Sequence, residues 1–120
     1  DKIPLFIEMA SREVIKCLPG SRLCPFGHIG DGNIHFNISQ PEKLPKDIFF
    51  KKSNEINKII YDIVMELNGS ISAEHGIGIL KAKELENYRS NEEIELMHKI
   101  KKAIDPKGIM NPNKVLNEIK

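Results

Sequence analysis

In "FGHIGDGNIHFNIS", residues 26–39, two histidines flank a glycine turn, although a turn needs glycine and has no use for imidazole. An imidazole can ligate a metal ion or act as a general base near neutral pH. Asp-Gly is a strong signal for a two-residue type I′ hairpin. With Asp31 and Gly32 as its central pair, Gly30 faces Asn33, Ile29 faces Ile34 and His28 faces His35. Residues opposed in this way have Cβ atoms about 4.5–5.5 Å apart. Both rings could then reach one ion at about 2.0–2.1 Å from each nitrogen. Asn37 shares their face, while Ile29, Ile34, Phe36 and Ile38 form an apolar face behind it. A surface histidine pair, stacked and without a ligand, fits the same spacing.

A second group lies in "GSISAEHGIG", where Glu74 and His75 close an expected strand and glycines follow. In extended chain, neighbouring side chains point to opposite faces. A division of labour follows, in which Glu74 completes a metal site and His75 faces a substrate as base. The alternative is an exposed Glu74 beside a His75 that caps a turn. His98, on the polar side of the last long helix, is expected to face solvent without a role.

Two other motifs fail on inspection. Asp31, Asn33, His35, Asn37, Ser39 and Glu42 alternate like the ligands of a calcium-binding EF-hand loop. That loop requires glycine where this chain has Phe36. "GDGNIH" lacks the third glycine of a dinucleotide fingerprint and leads into a strand, not a helix.

The elements that position these groups follow from the apolar pattern. Ile7, Ala10, Val14, Ile15 and Leu18 recur at helical spacing over 4–18, before Pro19-Gly20. Strands are expected at 23–29 and 34–39, the second alternating cleanly. A long helix over 45–67 carries Ile48, Ile56, Ile59, Ile60, Ile63, Val64 and Leu67, and Asn68-Gly69 ends it. A short strand runs through Ile71 and a short helix over 81–88. A last helix opens on a Ser90/Glu93 capping box, carries Ile94, Met97, Ile100 and Ile104, and stops at Asp105-Pro106. "KGIMNPNKVL" reads as an irregular tail. This order predicts one α+β domain over 1–120: an antiparallel sheet with helices on one face, ferredoxin-like, and incomplete on its N-terminal side.

The bulk properties agree with such a domain and exclude some functions. The 120 residues are 40% hydrophobic and 29% charged with a net charge of +1, so no electrostatic bias toward nucleic acid or anionic membrane is evident. No apolar run approaches a bilayer span and the opening residues lack a signal-peptide cleavage site, which points to the cytoplasm. Cys17 and Cys24 are too few for a disulfide scaffold and are expected to be reduced.

"FGHIGDGNIHFN", "GSISAEHGIG" and "DPKGIMNPNKVL", in that order, strongly resemble the C-terminal part of the FAD-linked oxidase family. D-lactate dehydrogenases, the glycolate oxidase flavin subunit and D-2-hydroxyglutarate dehydrogenases belong to it. The resemblance covers about 24–116. It implies that His28, His35 and Glu74 ligate a divalent ion, zinc or manganese. It also makes His75 the catalytic base and sets Asn37 close to the substrate. The implied chemistry is oxidation of a D-2-hydroxy acid to a 2-oxo acid. The metal lowers the hydroxyl pKa, His75 takes the proton, and hydride passes to the flavin. Asn113 stands where glycine is common in the family, and Ile79 and Ala82 stand where many relatives have basic or bulky residues.

The family's FAD-binding domain is N-terminal and longer than this chain, so FAD is expected to be held outside it, and the chain alone to be inactive. Two rival readings remain. One is a stand-alone metal-binding module or gene remnant, with Ile3, Leu5, Phe6 and Ile7 as an interface for a flavin domain. The other is a zinc hydrolase built on the same His, His and Glu.

Overall fold

The computed structural model describes residues 2–117, which divide into two compact units, Asp1–Ala73 and Glu74–Lys120. The first holds α1 (Ile3–Cys17), β1 (Arg22–His28), β2 (Asn33–Ser39) and α2 (Lys46–Glu66). The second holds α3 (Ala82–Tyr88), α4 (Asn91–Ile104) and the tail. Among the described residues, four α-helices and a two-stranded antiparallel sheet make an α+β fold.

In the first unit, α1 and α2 pack together over one face of the hairpin. Val14, Leu18 and Ile56 are at most 3% exposed, and Leu23, Phe36, Ile38, Phe49 and Ile60 close around them. Phe6 meets the Phe36 ring edge-on at 5.7 Å, so α1 also covers the sheet near its own start. At the C-terminal end of each helix one carbonyl is held by a lysine, Lys52 within α2 and Lys2 just before α1. Lys52 Nζ donates to Cys17 O at 2.9 Å, and Lys2 Nζ donates to Leu67 O at 2.9 Å. A cation at a helix C-terminus complements the macrodipole, and the two contacts show that the helices run antiparallel.

The helix ends follow the sequence closely. Asn68 takes a left-handed φ of 55°, and the amides of Asn68 and Gly69 donate to the carbonyls of Met65 and Val64. That is the complete Schellman pattern. The Ser90 hydroxyl accepts from the Glu93 amide at 3.2 Å while the Glu93 carboxylate accepts from the Ser90 amide at 3.0 Å, the expected capping box.

Three expectations change. Residues 69–73 are irregular, with a bend at Ile71 in place of the expected strand, and the described residues contain two strands, so a full ferredoxin-like sheet is not formed among them. The cause is local: the Ser70 hydroxyl donates to the Ser72 carbonyl at 2.9 Å and accepts from the Ser72 amide at 3.3 Å. Side-chain bonds of this kind replace ladder bonds. On α4, Ile100 and Ile104 are exposed instead of inward. Ile29 leaves the apolar sheet face for the turn, where it is 74% exposed.

Truncating Ile56 to alanine removes the α2 side chain at the centre of this packing. Urea denaturation should show a loss of about 2–5 kcal/mol. Ser90→Ala should cost about 1 kcal/mol, read as reduced helicity of α4.

Candidate functional site

The hairpin presents two distinct faces. Arg22 pairs with Ser39, Leu23 with Ile38, Cys24 with Asn37, Pro25 with Phe36, Phe26 with His35, Gly27 with Ile34 and His28 with Asn33. Alternation therefore puts Leu23, Pro25, Phe36 and Ile38 toward the helices. Cys24, Phe26, His28, Asn33, His35 and Asn37 stand on the opposite face.

The direct pairing of His28 with His35 does not occur. Residues Ile29–Asp31 form a turn of 3₁₀ helix, and Gly32 alone among the turn residues takes a positive φ, 73°. A type I′ turn needs positive φ at both central positions, and Asp31 does not supply one. The longer loop shifts the register by two residues, so His28 opposes Asn33 and His35 opposes Phe26. A shift of two preserves the face. The histidines are therefore diagonal neighbours on one surface, where such pairs lie about 7–8 Å apart and long or aromatic side chains still reach. Gly27 is required at the crossing: a Cβ there would lie 2.2 Å from the Asn33 carbonyl oxygen.

His35 is half-buried and stacks on Phe26, with centroids 5.0 Å apart and planes 19° from parallel. This stack fixes the imidazole plane over the sheet. Phe26 is a site residue that the helix and strand reading passed over, although it alternates in phase with His28. His28 and Asn37 are exposed.

Glu74 and His75 open the second unit in a turn, not an extended strand. Their side chains consequently do not diverge: His75 Nε2 lies 3.5 Å from Glu74 Oε1, with the imidazole 78% exposed and the carboxylate 38%. His98, expected in solvent, is half-buried on α4.

The "DPKGIM" segment is held by a carboxylate latch. Asp105 is 7% exposed, and its carboxylate accepts from the amides of Ile109 at 3.1 Å and Met110 at 2.9 Å. Lys101 Nζ bridges the same carboxylate and the Met110 carbonyl. The Lys101 ammonium first, with the two amides, holds the Asp105 carboxyl below the usual carboxylate range, against the effect of desolvation. Farther on, Val115 N donates to Gly78 O at 2.8 Å, tying the tail to the glycine turn after His75. The two cysteines are free thiols; burial and neighbouring Glu55 push the Cys17 thiol up, which keeps it protonated. Among the described residues no helix is long and apolar enough to cross a membrane.

The candidate groups are thus the imidazole-bearing hairpin face in the first unit and, within the second, the Glu-His turn and the latched Asp-Pro tail. The chain belongs to the family of FAD linked oxidases, C-terminal domain, which matches residues 2–115. It is 46% identical over 114 residues, 95% of its length, to a D-2-hydroxyglutarate dehydrogenase of Stutzerimonas stutzeri (strain A1501). It is 47% identical over 91 residues, 76% of its length, to the mitochondrial D-2-hydroxyglutarate dehydrogenase of Arabidopsis thaliana. To a D-lactate dehydrogenase of Archaeoglobus fulgidus it is 41% identical over 100 residues, 83% of its length. The matched stretch spans 25%, 15% and 21% of those three proteins, respectively.

The latch predicts a pH signature. A depressed carboxyl stabilises the fold above its unfolded pKa, and that contribution is lost as pH falls through the folded value. Asp105→Asn should therefore lower the urea midpoint at pH 7 and pH 5 alike. The gap from the parent chain should close only below about pH 4.

Proposed function

We propose that this chain is the substrate-side portion of a flavin-dependent D-2-hydroxy acid dehydrogenase, with a 2-hydroxy dicarboxylate such as D-2-hydroxyglutarate as the leading substrate class. The observation that carries the reading is the single polar hairpin face bearing His28, His35 and Asn37, together with the paired side chains of the Glu74–His75 turn. Family membership and the dehydrogenase names of the similar proteins support it over a free-standing module.

In this reading His28, His35 and Glu74 hold a divalent ion. Two imidazoles and a carboxylate form a nitrogen and oxygen donor set that suits zinc or manganese, and the histidines share one face. When bound, the ion would lower the pKa of the substrate hydroxyl, and FAD, held by the polypeptide outside this chain, would accept the hydride from the α-carbon. The residues of this chain do the rest. His75, open to solvent, takes the hydroxyl proton at a ring nitrogen. Asn37, exposed two residues beyond His35, offers an amide to the substrate's oxygens. The Phe26 stack holds His35 in one orientation so that the ion meets a prepared ligand. The enzyme would work in the cytoplasm.

Calorimetric titration of the metal-stripped chain with Zn²⁺ and Mn²⁺ tests the assignment. One ion should bind per chain, about tenfold or more weaker in His35→Ala and Glu74→Ala and unchanged in Asn37→Ala. Undiminished binding in both ligand variants would remove the metal assignment.

A further inference from the structure

The second unit has an exposed apolar face out of proportion to its core. Among its described residues, eight large apolar side chains are exposed, whereas Ala82 and Leu85 are its only buried apolar residues. Helix α4 buries no residue fully. Leu96, Ile100 and Ile104 are 57%, 52% and 70% exposed, and they recur every four residues along one ridge of the helix. The Asp105 latch holds Ile109 and Met110, 75% and 55% exposed, at the C-terminal end of the same helix. Scattered surface leucines are ordinary, but a continuous apolar ridge marks an interaction surface.

The first unit behaves differently. Phe6 is half-buried against Phe36, and Ala10, Val14 and Leu18 are at most 2% exposed, so α1 spends its apolar side internally. Only Leu5 and Ile15 of that helix remain open among its large apolar side chains. The start of the chain, Ile3 to Ile7, is thus a poorer docking surface than α4.

We infer that the Leu96–Ile100–Ile104 ridge of α4, extended by Ile109 and Met110, is the docking face for the flavin-bearing polypeptide. This rests on the functional reading above. The occupant follows from length: the matched stretch is 25% of the Stutzerimonas stutzeri relative, so about three quarters of such a protein lies outside it. The ridge is uniformly aliphatic, which suits a permanent intramolecular contact better than a transient polar one.

The test uses the part of the Stutzerimonas stutzeri protein outside the matched stretch, produced as a separate chain and shown to be folded by its stoichiometric bound FAD and a cooperative thermal transition. Binding of this 120-residue chain is followed by sedimentation velocity. The parent chain and Leu5→Glu should bind equally. Ile100→Glu/Ile104→Glu should bind about tenfold or more weakly, with helix content unchanged by circular dichroism; Leu96→Lys supplies an independent single change on the same ridge. Equal binding by the ridge variants would overturn the docking face and leave the functional reading intact. A parent chain that self-associates, with the ridge variants monomeric, would assign the face to a second copy and overturn the inference. A monomeric parent chain that does not bind the flavin-bearing part would remove both.

Discussion

Burial of one face of the hairpin beneath α1 and α2 is the constraint on which the rest depends. Leu23, Phe36 and Ile38 enter a core with Val14, Leu18 and Ile56, and strand alternation then leaves His28, His35 and Asn37 no choice of side. The candidate chemistry is a by-product of that packing. The antiparallel helices, with Lys52 and Lys2 bonded to the opposite C-terminal carbonyls, cover that inner face.

The two units are stabilised by different physics. In Asp1–Ala73 apolar side chains close around one another. In Glu74–Lys120 the order comes chiefly from polar closures: the Ser90–Glu93 box, the Asp105 latch, and the Val115 amide bonded to Gly78. Such closures set backbone direction well but contribute modestly to stability, since each exchanges one hydrogen bond with water for another.

The elements were legible where a pattern repeats. Helical spacing found α1 and α2, Asn68-Gly69 marked the end of α2, and strict alternation in Ile34, Phe36 and Ile38 identified the inner face. What failed was single-residue backbone geometry. Nothing in the letters Asp-Gly distinguishes positive φ at both residues from positive φ at Gly32 alone, and that difference moved His28 from His35 to Asn33. The bend at 70–72 was hidden for a similar reason, because Ser70 satisfied the backbone that a strand partner would have satisfied. Asp105 could be read as a helix stop but not as a buried anion, since its partners Ile109 and Met110 offer only their amides. The resemblance of three ordered blocks identified the family where local geometry could not have done so.

The two-residue register shift has a consequence for how this hairpin can vary. Side-chain direction along a strand has a parity, so the histidine face survives any change of loop length that moves the pairing by an even number of residues. An odd change would send one histidine into the core and bring an isoleucine out. For this fixed sequence, the slip that separates a two-residue turn at Asp31-Gly32 from the four-residue connection across Ile29 to Gly32 is even, which is why both histidines stay outside.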